Sequence, residues 1–479
     1  MGNCCFKGKP PPEPLASAHS LVPRPSTESN LSAPVDPKNV QFTVGASAHK
    51  RKEGAAASRG NLFGMERYQV RTDLREMLEK KEVVLIKASW LSKQGFKKRS
   101  SLPSRSTLED GETDALADVA LVERCFKEVV RAATELVGDE LCHYPGVVVV
   151  SYRWLSAAHP DPQGKLLQML APMLEWYGAQ RAVLGLDPEF CVFIDFCSLH
   201  IPPHADVDQT TAFEKVKKSM DIWYGHMGTM TWILSAPPKD SDPPRKYSEG
   251  AWPTFERAAC VGKLPVYCLD MGRFEGWENR KFEKEWRNKY REQFAKHGKR
   301  HQAPTDASLR PLVEGSAAVP LMAEAFNAAL QPKECATADD RMVICDLYNQ
   351  VSRARLGSSQ KLSFALLRWT PAEFATFAGT MAALCQNLET LHVTNAAMSD
   401  ADIEEWCRAL LAGALPKLAT LRLDNNDFSD KGCTALQEAL SRGAMPVLAD
   451  LQMRGTSVTG AGADAVRGAA GSRELQVSI

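Results

Sequence analysis

No stretch of this 479-residue chain approaches the roughly 18 uninterrupted apolar residues that a membrane-spanning helix needs, so none is expected. The amino terminus lacks the apolar core of a secretory signal. No C-x-x-C pair occurs, and the thirteen cysteines are scattered and odd in number, which argues against zinc and thioredoxin-type chemistry. Reduced, mostly buried thiols in a cytosolic protein are the plain expectation. There is no excess of either charge, 58 basic against 58 acidic residues, so no nucleic-acid partner is expected. What is present is an apolar fraction of 44%, ordinary for a globular protein, and length for two or three domains.

The chain opens Met1-Gly2-Asn3-Cys4-Cys5-Phe6-Lys7-Gly8-Lys9. Gly2 behind the initiator Met is the position that N-myristoylation uses. Cys4 and Cys5 can take a second, thioester-linked acyl chain, and Lys7 and Lys9 can meet anionic head groups. A single myristoyl chain holds only marginally, so an adjacent second signal matters. Phe6 stands where the usual motif has Ser or Thr. Membrane attachment by acylation is therefore the expectation, at the cytoplasmic face. The next stretch, to about residue 60, is rich in Pro, Ser and Ala and reads as a disordered tether.

Residues 61–140 read as a helical and basic linker. Lys93 to Arg105 interleaves basic residues with Ser, which suits a solvated loop or one facing a membrane or a kinase. Leu116 to Val137 has apolar residues at helical spacing. The region 141–335 then alternates short apolar runs with amphipathic stretches. Strands are predicted at Val147–Tyr152, Phe190–Phe196, Thr229–Ser235 and Leu264–Leu269. Helices are predicted at Lys165–Tyr177, Ala212–Trp223 and within Tyr247–Val261. That alternation predicts βαβ units and a buried parallel sheet. In such sheets function sits beyond the carboxyl ends of the strands, where Ser151, Tyr152, Arg153, Asp195 and Ser235 fall.

Four motifs in this order resemble those of TIR domains: Val150-Ser151-Tyr152-Arg153, Phe193-Ile194-Asp195 with Leu199, Trp232-Ile233-Leu234-Ser235, and Trp252-Pro253-Thr254-Phe255-Glu256. Pro253 replaces the Cys usual after the Trp, which suits a helix beginning near Ala251. The resemblance implies a flavodoxin-like α/β fold that self-associates. It further implies that Glu256 matches the glutamate with which catalytic members cleave NAD⁺ at the nicotinamide–ribose bond. A carboxylate there would stabilise positive charge developing on the ribose. Ser151, Arg153, Asp195 and Trp252 would then line the substrate site, Arg153 holding phosphate and Trp252 packing beneath the nucleotide. NAD⁺ would be a substrate, and no resident cofactor or metal is implied. Other roles remain open: Glu256 as partner of Arg257 or Lys263, Arg153 in a surface ion pair, Trp252 in the core. His200 and His204 are separated by prolines and offer no metal site.

Phe282, Trp286, Tyr290 and Phe294 recur every fourth residue, a helical ridge for docking on the sheet. Farther on, Leu388-x-x-Leu391-x-Val393 recurs as Leu418-x-x-Leu421-x-Leu423 and Leu448-x-x-Leu451-x-Met453, a period of 30 residues. This resembles leucine-rich repeats of the ribonuclease-inhibitor type, with Asn426 at the position that satisfies turn backbone groups. Leu362–Trp369 and Leu475–Ile479 are candidate flanking units, and Gly460 and Gly462 small residues of the last helix. The resemblance implies a short α/β solenoid over 360–479 that binds a protein partner. Together these readings describe a lipid-anchored signalling protein, either an NAD⁺-cleaving effector or a non-catalytic adaptor.

Overall fold

Two sheets of five strands each organise the chain. The computed structural model describes residues 63–69, 72–97, 100–111, 113–127, 130–131, 141–142, 145–183, 185–238, 245–274, 306–410, 413–471 and 474–479. The amino-terminal tether with Gly2, Cys4 and Cys5 lies outside these residues, as does the Phe282–Phe294 ridge. Among the described residues no helix is long and apolar enough to cross a membrane.

The first sheet contains β1 (Ile86–Lys87), β2 (Val147–Ser151), β3 (Cys191–Phe193), β4 (Met230–Ile233) and β5 (Cys268–Asp270), in the spatial order β1-β3-β2-β4-β5. β1 runs antiparallel to β3, and the other pairs are parallel. Every residue of β2 is buried, which its run of four valines requires. All four expected strands are shorter than the apolar runs that suggested them, two of them by half or so. β3 stops at Phe193, because Asp195 opens a one-turn helix, Asp195–Ser198, and accepts from the Phe196 amide at 2.6 Å. Pro265 has no N–H for the ladder, so Pro265–Tyr267 forms a 3₁₀ turn and β5 begins only at Cys268.

The helix expected over Ala212–Trp223 divides into Val207–Lys217 and Met220–Gly225. The helix expected from Leu116 is Val119–Lys127, and Val130–Arg131 then pairs antiparallel with Leu141–Cys142. Residues from the expected linker also contribute to the core: Leu74, Met77, Leu85, Ile86 and Leu91 are buried. Arg105, at the end of the basic stretch, is buried too. It donates to the Lys81 carbonyl at 2.6 Å and the Glu82 carbonyl at 3.0 Å.

The second sheet is wholly parallel: β6 (Lys361–Ala365), β7 (Thr390–Thr394), β8 (Thr420–Arg422), β9 (Asp450–Gln452) and β10 (Gln476–Ser478). The 30-residue period appears directly as register, with Leu391 opposite Leu421 and Leu421 opposite Leu451. Helices Pro371–Leu384, Asp400–Ala409, Asp430–Ser441 and Gly460–Ala469 follow the first four strands. Asn426 is buried. Its amide donates to the carbonyls of Val393 and Leu423 at 2.8 and 2.9 Å and accepts from the amides of Ala396 and Met398. A second 30-residue signal links neighbouring helices. Asp400 accepts from the Ser429 and Gly432 amides, both at 2.8 Å, and Asp430 accepts from the Thr459 amide at 2.7 Å. A Cβ on Gly462 would lie 2.2 Å from an Asp430 carboxyl oxygen, so that close approach needs glycine.

Two helices meet where the two sheets adjoin: α1 (Ala251–Ala258) and α2 (Asp340–Ser358). Ile344, Tyr348 and Val351 of α2 pack in the core around the first sheet, whereas Leu356 packs in the core of the second. Buried Arg355 fixes this junction by donating to the carbonyls of Val261 and Gly262, on the turn after α1.

Candidate functional site

The carboxyl end of β2 meets α1. Ser151 is the last residue of β2 and is fully buried. Pro253 sits in the first turn of α1, where a missing N–H breaks no helical bond, so the helix starts at Ala251 as its sequence predicts. One turn later, Glu256 points inward and is 5% exposed. Its Oε2 lies 2.6 Å from Ser151 Oγ. Ser151 Oγ lies 2.6 Å from Tyr247 Oη, and Tyr247 donates to the Pro253 carbonyl at 2.8 Å. The Tyr224 hydroxyl also reaches Glu256.

These contacts have a consequence for protonation. The Pro253 carbonyl can only accept, so Tyr247 spends its proton there. Ser151 Oγ donates to Glu256 Oε2, and its contact with Tyr247 is shared between two hydroxyls. Burial pushes the Glu256 carboxyl up to about 8, against the opposing hydrogen bonds from Ser151 and Tyr224. At neutral pH this acid is held mainly neutral.

Asp195 forms a second, half-buried acid nearby. It accepts from Tyr152 Oη at 2.5 Å and Trp154 Nε1 at 2.9 Å, and burial raises its carboxyl above the ordinary range. Its charge in turn disfavours ionisation of Glu256. Arg153 is committed to another partner. It forms an ion pair with Glu334, which also accepts from Arg245 at 2.7 Å, and its guanidinium lies against Gly250. Trp252 is half-buried and packs edge-on against Phe255 at 5.9 Å between ring centres. The alternative partners of Glu256 are engaged elsewhere. Arg257 donates to the Ser316 and Gly315 carbonyls, and Lys263 donates to the Tyr224 carbonyl.

The structure thus gathers Ser151 and Glu256 into one hydrogen-bonded cluster and Asp195 into an adjoining one. It commits Arg153 to a surface ion pair and puts Trp252 against its own helix. Sequence reasoning placed Tyr152 at the strand end but missed Tyr247, Tyr224 and Trp154. Nothing in their spacing marks them, since each reaches its partner from a different segment. Chemically, a neutral, enclosed carboxyl stabilises the sheet–helix junction. Stabilising a cationic transition state would require it to lose its proton and meet a ligand. No protein-family model matches the sequence, and comparison with curated proteins finds no match.

Proposed function

We propose that this chain is a lipid-anchored signalling scaffold in which a TIR-like assembly domain is joined to a partner-binding leucine-rich-repeat module. The TIR-like reading is supported by the order of the parallel strands. Numbered along the chain from β2, they lie 2-1-3-4, the order of flavodoxin-like sheets. The repeat reading is supported by five parallel strands, the middle three in 30-residue register, and by Asn426 serving the turns between them. The paired signals at Gly2, Cys4 and Cys5 support the anchor.

The observation that favours a scaffold over an enzyme is the state of Glu256: 5% exposed, bonded inward to Ser151, with Arg153 turned to Glu334. NAD⁺ cleavage is the second reading. It is favoured by the position of Glu256 at the carboxyl end of the central strand, beside Asp195, and it requires assembly to open the site. The deciding experiment clusters the purified full-length chain on lipid vesicles with NAD⁺ and follows nicotinamide release. Release no greater than that of Glu256→Ala supports the scaffold. Release that Glu256→Ala abolishes overturns it in favour of the hydrolase.

A further inference from the structure

Behind α1, on the side facing the second sheet, two cysteines and a lysine form a cluster that the proposed function does not use. Cys260 follows α1 and Cys268 opens β5; both are buried and reduced. They pack together with Ile233 and Tyr247 in a small cluster of their own. Their thiols hydrogen-bond one another, and Thr231 also bonds Cys260. The Lys263 ammonium, 5% exposed, is anchored beside them by the Tyr224 carbonyl at 2.8 Å and the Thr229 and Thr231 hydroxyls at 3.1 and 3.3 Å. None of these Lys263 partners is a carboxylate, so the nearby sulfur is the natural seat of the compensating negative charge.

A narrow cleft reaches this cluster. Cys260, Cys268 and Lys263 line it on one side, and Ser316, Ser363 and Phe364 on the other. It has room for little more than water-sized molecules. A hydroperoxide as small as hydrogen peroxide meets that limit, and a bulky thiol such as glutathione does not.

We propose that Cys260 and Cys268 form a peroxide-responsive dithiol, with Cys260 the attacking thiolate, Cys268 the resolving thiol and Lys263 the charge that holds Cys260 ionised. In the first step Cys260 Sγ attacks one peroxide oxygen. An S–O bond forms, the O–O bond breaks, and hydroxide leaves. In the second step Cys268 Sγ attacks the sulfenic sulfur of Cys260. The S–S bond forms and the S–O bond breaks. The departing oxygen takes up a proton to leave as water, and the hydroxide from the first step takes the other proton. The two thiols lose two electrons and the peroxide gains them, giving one disulfide and two waters.

The electrostatics are consistent with these roles. The Cys268 and Thr231 hydrogen bonds and the Lys263 charge lower the Cys260 thiol to about 7, against burial, while Cys268 is pushed up. Burial lowers the Lys263 ammonium to about 8, against the pull of the two cysteine sulfurs, which raises it. Because the Cys260 thiol donates to the Glu256 carbonyl at 3.4 Å, oxidation would remove that bond from the last turn of the helix that carries Glu256.

The test exposes the reduced full-length protein to stoichiometric hydrogen peroxide and maps the products by mass spectrometry without reduction. A Cys260–Cys268 linkage is expected before modification of Cys345, a less buried thiol that serves as the internal reference. Cys268→Ser should leave a sulfenic acid on Cys260, read by mass spectrometry as one added oxygen on the peptide that carries Cys260. Lys263→Met should slow disulfide formation by roughly tenfold, the effect of about one unit in thiol pKa at fixed pH. If Lys263→Met does not fold, the pH profile of the wild-type rate decides, with half-maximum near 7 supporting the assignment and near 9 opposing it. Oxidation of Cys345 while Cys260 and Cys268 stay reduced would overturn the proposal.

Discussion

Ser151 Oγ and Glu256 Oε2 lie 2.6 Å apart and join the end of the central strand to the helix packed over it. Ser151 is the turning point of a chain of contacts from Glu256 through Tyr247 to the Pro253 carbonyl. Four predictions test the architecture around it and its neighbours.

The first concerns pH. Glu256 titrates near 4.5 when unfolded and near 8 when folded, so between those values the folded state holds one more proton. Stability from this group is fully present below about 4.5 and is lost as pH rises toward about 8, with a limiting slope of about 1.4 kcal/mol per pH unit. Glu256→Gln keeps a neutral side chain that can donate to Ser151. The difference in urea-unfolding free energy between wild type and this variant should therefore move in favour of the variant from pH 5 to pH 8. A flat difference across that range would count against a neutral Glu256.

Removing the linking hydroxyl should cost more than removing an exposed one. Ser151→Ala leaves both Glu256 and Tyr247 with an unmade bond inside the core, a loss of about 1–3 kcal/mol. The double variant Ser151→Ala with Tyr247→Phe should lose less than the sum of the two single changes, because the residues share one chain. Chemical denaturation of the three proteins measures the coupling.

Asn426 makes four bonds to buried turn backbone, so Asn426→Ala should lower stability by on the order of 3 kcal/mol. Asp427→Ala, at an exposed neighbouring position, should change it by less than about 0.5 kcal/mol. Circular dichroism followed through urea unfolding separates the two.

The anchor is tested in cells. Metabolic labelling with a myristate analogue should mark the wild-type chain, and Gly2→Ala should abolish the label and shift the protein to the aqueous fraction. Cys4→Ser with Cys5→Ser should keep the label but weaken membrane retention, since one acyl chain holds only marginally.

The sequence by itself determined the periodic parts of this protein. The valines of β2 are buried on every side, so they read as one apolar run. The repeats impose the same leucine spacing every 30 residues, and stacking turns that spacing into parallel register. Pro253 marked the start of α1 because its effect on the backbone is local. The tertiary structure alone decided the partners. Whether Glu256 meets a ligand, Arg257 or Ser151 depends on which segment lies across from it, as does the pairing of Arg153 with Glu334, 181 positions away. Protonation obeys the same logic, since the burial that raises Glu256 and the Lys263 charge that lowers Cys260 arise from contacts between segments that no local pattern specifies.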